Sequence, residues 1–293
     1  MIYITGDTHA DFSRLYRVPF SHVEEWEQGT DPHYVIICGD FGGVWNESMQ
    51  QAAELDKLND RPFTILFLDG NHENYDLLAT YPVENWHGGK VQAIRKNVLH
   101  LMRGQIYEIE GQTFFIMGGA ACHDTYNGVL DMDDPEFTQK YQRLKNARKF
   151  FRINHLSWWE QELPTESEIS AAYETLCAYG KKVDYVLSHC APSKMQRRIQ
   201  ARIGDSTHPK NALTEFLQWV YNECEFKHWY CGHYHQPRDI TRCFHVVYEN
   251  IVRLDGDMQA SDDEVESRNE DFLDRIRALL SQNSKTTGGN CRL

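Results

Sequence analysis

Phe63-Thr64-Ile65-Leu66-Phe67-Leu68-Asp69-Gly70-Asn71-His72-Glu73 passes from an apolar run into a polar turn. The β-branched and aromatic residues of 63–68 predict a buried strand. Gly70 marks the turn that leaves it. Asn71 and His72 then stand at the C-terminal end of the strand, where open α/β sheets carry their chemistry. The same arrangement recurs along the chain. Residues 2–5 run into Gly6-Asp7-Thr8-His9, and 34–38 into Gly39-Asp40-Phe41-Gly42-Gly43. Residues 183–188 run into His189, and 228–231 into Gly232-His233-Tyr234-His235. Five strands thus deliver Asp, Asn or His at the point where each strand stops.

A chain of 293 residues suffices for one large domain or two small ones. It can bury a core without disulfide staples. The formal net charge of −13 disfavours loose binding to nucleic acid or to an anionic membrane. None of the eight cysteines lies in a CxxC pair. Cys38, Cys190 and Cys231 fall in or beside predicted strands, where a reduced Cys packs as a small apolar residue. The first strand begins at residue 2, leaving no room for a signal peptide, and no apolar run has the length of a membrane span. A reducing, cytoplasmic setting is therefore expected.

The first three strands alternate with predicted helices, at 12–27 and, capped by Asn46, at 47–58. This is βαβ grammar and predicts a partly parallel sheet. Four short strands follow at 91–94, 98–102, 106–109 and 113–117, and their brief connections predict an antiparallel or mixed second sheet. Residues 122–180 read as a charged insertion containing Trp158-Trp159. Thr165 with Glu168 forms a capping box for a helix ending near Gly180. A helix near 212–221 and a last apolar strand at 243–249 complete a domain spanning 1–254. The acidic tail, 255–293, has Phe272, Leu273, Ile276, Leu279 and Leu280 at helical spacing. That stripe fits a helix docked on its own domain or, as the sharper alternative, a homo-oligomer contact.

The strand ends supply Asp7, His9, Asp40, Asn71, His189, His233 and His235. All are oxygen or nitrogen donors, which suit Mn, Fe, Ni or Zn. Seven exceed the needs of one tetrahedral ion. They suit two ions sharing a ligand, and a carboxylate such as Asp40 can bridge. Two ions about 3.5–4 Å apart can hold a hydroxide nucleophile and clamp phosphate oxygens.

The chain here resembles the calcineurin-like metallophosphoesterases. Asp7-Thr8-His9, Gly39-Asp40, Gly70-Asn71-His72-Glu73, His189 and Gly232-His233-Tyr234-His235 are similar to the five ordered motifs of that family. The resemblance implies an α/β fold: a four-layer αββα sandwich of two mixed sheets with a dinuclear metal site at the strand ends. It implies that Asp7, His9 and His235 hold one ion and Asn71, His189 and His233 the other, with Asp40 bridging. His72 would protonate the leaving alkoxide or orient the phosphate. The protein-phosphatase branch has an Arg two positions before the Asn-His pair, and a further Asp and Arg after the Gly-Asp. Here those places hold Asp69 and Phe41-Gly42-Gly43-Val44.

The expected activity is metal-dependent hydrolysis of a phosphate ester by a metal-bound hydroxide. The expected substrate is a phosphorylated small molecule, a nucleotide-like phosphodiester or phosphoanhydride. A phosphomonoesterase or protein phosphatase, and a metal-binding scaffold without turnover, are the alternatives. Arg152 and His155 are candidate phosphate clamps, with Asn71 beside the substrate. Trp158-Trp159 is a candidate base platform. His123 and Asp124 follow a predicted strand end and face the same way. Asp11 reads as a helix cap, Glu73 as a support behind the ligands, and Arg197, Arg198 and Arg202 as a solvated helix face.

Overall fold

The computed structural model describes residues 1–17, 19–21, 32–204 and 210–254. In chain order the strands are β1 (Ile2–Thr5), β2 (Tyr34–Ile37), β3 (Thr64–Phe67), β4 (Val83–Trp86), β5 (Gly89–Arg95), β6 (Val98–Leu101), β7 (Ile106–Ile109) and β8 (Gln112–Met117). They continue with β9 (Val129–Leu130), β10 (Arg152–Ile153), β11 (Tyr185–Ser188), β12 (His228–Cys231), β13 (Arg238–Asp239), β14 (Phe244–Val246) and β15 (Val252–Leu254). The helices are α1 (Met49–Asn59), α2 (Tyr75–Leu78), α3 (Phe137–Asn146), α4 (Glu166–Ala178), α5 (Ser193–Ile203) and α6 (Ala212–Glu223). Met1–Leu254 form one compact unit. The tail and its helical stripe lie outside the described residues.

One sheet has the order β15-β1-β2-β3-β6-β5-β4, and the other β13-β14-β12-β11-β8-β7. β1, β2 and β3 are parallel and level: Thr5 lies opposite Ile37, and Ile37 opposite Phe67. β8, β11 and β12 are parallel too, with Ser188 between Met117 and Cys231. Three strands in each sheet therefore stop at one level, and the turns that follow emerge side by side.

Strand alternation builds the layers. Ile2, Ile4, Tyr34, Ile36 and Leu66 of one sheet share a core with Phe114, Ile116, Tyr185, Leu187 and Tyr230 of the other. The intervening residues face outward. Tyr3, Val35, Ile37, Ile65 and Phe67 pack with Leu55 and Leu58 of α1. Phe115, Val186 and Trp229 pack with Ala172, Met195 and Leu217 of α4, α5 and α6. Two mixed sheets lie between helical layers.

Several local expectations need correction. Within the described part of 12–27 only a 3₁₀ turn, Ser13–Tyr16, is present. Pro19 follows closely and disfavours helical backbone before it. The cap of α1 is Ser48, whose Oγ accepts the Gln51 N–H at 3.2 Å. Asn46 instead accepts the Ser48 N–H at 2.9 Å, which delays the helix start to Met49. The four strands of 91–117 do not form one sheet. β5 and β6 extend the first sheet beyond β3, and β7 and β8 belong to the second. β4 has no sequence signal, being an edge strand whose residues Val83, Glu84 and Asn85 are exposed and carry no apolar alternation. Thr165 and Glu168 do form the expected capping box. No described helix is long and apolar enough to cross a membrane.

Candidate metal centre

The level strand ends bring the donors together. One ligand atom from each of Asp7, His9, Asp40 and His235 lies within 4.8 Å of the others. His235 Nε2 is 2.9 Å from Asp7 Oδ2, and His9 Nε2 is 3.8 Å from both Asp7 Oδ2 and Asp40 Oδ2. On the other side, His189 Nε2 is 3.3 Å from Asn71 Oδ1 and 3.3 Å from Asp40 Oδ1. The His189 and His233 rings meet with centroids 4.9 Å apart. Asp40 thus stands between the two groups of donors.

The backbone is bent to make this possible. His9, Asp40, His233 and His235 all have φ between 44° and 70°. Such left-handed conformations at non-glycine residues cost on the order of 1–3 kcal/mol each and persist where the surroundings over-determine them. Close approach explains two of the glycines. A Cβ on Gly70 would collide with the Asp40 carboxylate, and one on Gly232 with that of Asp7.

Neighbouring groups orient the donors. His189 Nδ1 lies 2.9 Å from the Cys38 carbonyl. In the neutral ring, the form a metal ligand takes, an N–H there leaves the Nε2 lone pair toward Asn71 and Asp40. The His233 N–H donates to Asp7 Oδ1 at 3.0 Å, and the His72 N–H to Asp40 Oδ1 at 2.8 Å. Glu73 accepts the N–H groups of Phe41 and Gly42, holding the turn that carries Asp40. The Arg14 guanidinium donates to the Asp7 carbonyl at 2.9 Å. The Tyr248 ring stacks on His235, centroids 4.6 Å apart. The sequence carried the Glu73 signal. Arg14 and Tyr248 had none, because only the fold brings them to the strand ends.

Charge identifies what the donors can hold. Burial would raise Asp40, but His189, His72 and His9 outweigh it and keep the carboxyl below the ordinary range. Burial would lower His189, but Asp40 and Asp7 push it up to about 10. The side-chain partners of the two buried carboxylates are imidazoles rather than ammonium or guanidinium groups. Carboxylates, an amide oxygen and imidazoles facing one another form a donor set that fits divalent metal. The nearby thiols do not compete. Burial pushes Cys190 up to about 12 and raises Cys38 and Cys231 well above their ordinary value, so they stay protonated.

The insertion delivers its candidates unequally. Arg152 forms an ion pair with Asp124 at 2.7 Å and lies close enough to His72 to help lower its pKa, an effect led by burial. His123, beside Asp124, faces His233 with centroids 6.4 Å apart. His155 instead is held 2.8 Å from Asp76 Oδ2, which also accepts the Trp159 indole N–H at 2.7 Å. That shared carboxylate fastens the insertion to α2. Trp159 is 1% exposed, so it packs the insertion and offers no free face. Asp69 binds Arg103 at 2.7 Å and His100 at 3.2 Å, with Tyr75 donating at 2.9 Å.

The model of the Calcineurin-like phosphoesterase family matches residues 1–237, a span that contains all seven donors. The chain belongs to the calcineurin-like phosphoesterase family and is a metal-dependent phosphoric ester hydrolase. Comparison with curated proteins finds no match.

Proposed function

We propose that the centre takes two divalent ions, from among Mn, Fe, Ni and Zn, and hydrolyses a phosphodiester or phosphoanhydride in a nucleotide-like small molecule. Asp7, His9 and His235 would hold one ion, Asn71, His189 and His233 the other, with Asp40 shared. Bound there, such ions lower the pKa of water and offset charge on phosphoryl oxygens.

The side chains supply the rest. His72 is tied through its N–H to Asp40, and its ring lies 5.2 Å from that of His9. In this reading it gives a proton to the leaving oxygen. Burial lowers its pKa, with His9 and Arg152 adding to the effect against Asp40, so its protonated form is a stronger acid than free imidazole. Arg152 can present its fork of donors to a phosphoryl oxygen.

The observation that supports a diester is charge. Arg152, the candidate clamp, is neutralised by Asp124. A phosphomonoester brings two negative charges near neutral pH and a diester one. A clamp already paired with a carboxylate suits the monoanion. The seven free thiols among the described residues support a reducing, cytoplasmic setting.

The test compares kcat/KM for bis-p-nitrophenyl phosphate and p-nitrophenyl phosphate, with stripped protein reloaded with each ion in turn. Preference for the diester is expected. Preference for the monoester overturns the diester assignment.

A further inference from the structure

A cleft of about 580 Å³ adjoins the metal centre. His9 and His72 line it together with Phe12, Trp45, Gln50 and Glu54. It therefore connects the two imidazoles to the β2–α1 loop and the first turns of α1. Its volume falls within the range of about 300–1,000 Å³ that holds small molecules.

Trp45 is the fixed feature of this cleft. Its backbone N–H donates to Gln51 Oε1 at 2.7 Å, and its backbone carbonyl accepts from Asn74 Nδ2 at 2.9 Å. Its ring meets that of Trp159 at 81°, with centroids 5.6 Å apart. Trp159 is itself anchored by Asp76. Trp45 remains only half-buried, so an indole backed by Trp159 on a fixed backbone borders the open space. The charge of the lining is equally specific. It contains no Lys or Arg among the described residues and a single carboxylate, Glu54. A phosphate seated against Trp45 would meet no Lys or Arg of the described lining.

We propose that this cleft receives the leaving half of the substrate and takes an uncharged planar ring of the nucleoside class, stacked on Trp45. The inference rests on the phosphoester reading. The oxygen that receives the proton of His72 must lie on the side of His72, and that is where the cleft opens. Asn46 and Gln50 offer amide groups to the edge of a base. The assignment also separates the two substrate types. In the diester, water adds hydroxide to phosphorus and the P–O ester bond breaks with its electron pair on oxygen. His72 gives that oxygen its proton, and the proton lost by water restores His72. The products are a neutral nucleoside alcohol and a phosphomonoester. An anhydride would instead release a phosphate into a cleft whose described lining holds no Lys or Arg.

The test is equilibrium dialysis of adenosine, guanosine, cytidine and uridine against metal-stripped protein. At least one nucleoside should bind saturably. Trp45→Ala should weaken it about 5- to 150-fold, the range for loss of base–aromatic stacking, while Trp45→Phe retains most of the affinity. Gln50→Trp, at an exposed position of the lining, should block binding without changing the melting temperature. Pyrophosphate should not displace the nucleoside. Absence of saturable binding, equal affinity in Trp45→Ala, or displacement by pyrophosphate overturns the proposal. Hydrolysis of bis-p-nitrophenyl phosphate by reloaded protein is scored separately. Hydrolysis without nucleoside binding sinks the subsite alone, and nucleoside binding without hydrolysis under any ion sinks the phosphoester reading beneath it.

Discussion

The Glu73 carboxylate accepts the Phe41 N–H at 2.7 Å, so the residue two places after Asn71 holds the turn that presents Asp40. Two ligand-bearing turns are thereby coupled through one side chain. Glu73→Ala removes the acceptor and leaves buried N–H groups at Phe41 and Gly42. A loss of about 1–3 kcal/mol per orphaned group is expected, read from urea unfolding. Glu73→Gln keeps an acceptor oxygen and should lose less.

Asp69 and Arg103 form a buried pair that ties the turn before Asn71 to the insertion, since Arg103 also donates to the Gln161 carbonyl at 2.7 Å. Breaking such a pair typically costs about 3–5 kcal/mol, because one charge stays buried alone. Arg103→Met should therefore destabilise strongly. Burial would raise Asp69, but Arg103 and His100 outweigh it and depress its pKa. A depressed carboxyl stabilises the fold above its unfolded value and loses that contribution as pH falls toward the folded value. Acid unfolding of Arg103→Met should accordingly begin at higher pH than in the natural chain.

Glu162 is 2% exposed, and neither carboxyl oxygen has a hydrogen-bond partner among the described residues. Burial pushes its pKa up to about 9. A raised carboxyl contributes its full stability below the unfolded value near 4.5, and that contribution fades as pH rises to about 9. Glu162→Gln is neutral throughout. Its melting temperature should rise relative to the natural chain between pH 5 and pH 9, and a constant difference across those scans would contradict the assignment.

Metal binding to the folded donors should raise the melting temperature, by about 2.7 kcal/mol of stabilisation at a hundredfold excess over Kd. Asp40→Asn should remove most of this shift with Mn, because the proposed arrangement makes Asp40 the carboxylate that both ions share. Tyr248→Ala leaves the donors in place but frees the His235 ring that it stacks on. A smaller Mn-induced shift is expected there, read by thermal unfolding with and without the ion.

Arg152 and Asp124 make the charge argument testable. Arg152→Ala should raise KM for a phosphate ester more than it lowers kcat. Asp124→Asn should release the positive charge of Arg152 and move selectivity from diester toward monoester. Unchanged selectivity would remove Arg152 from the phosphate clamp.

The candidate donors were legible because each stands just after an apolar run, most of them beyond a glycine turn, a local pattern that survives without tertiary information. The capping box at Thr165 was legible for the same reason. The helix cap at Ser48 was not, since Asn46 and Ser48 are both good caps and the choice depends on which N–H each meets. The split of β5–β8 between two sheets was hidden because short apolar strands do not name their partners. The roles of the tryptophans were also hidden. Burial of Trp159 and exposure beside Trp45 depend on how the insertion meets the β2–α1 loop.

The sequence by itself determined the donor types, their order and their position at strand ends, because hydrophobic alternation and turn chemistry are encoded within a few residues. Only the tertiary structure decided which donors meet, that Arg152 is paired and His155 engaged elsewhere, and that Trp45 borders the cleft. Those outcomes depend on contacts between segments far apart in the chain, and the level, parallel strands of two facing sheets set them.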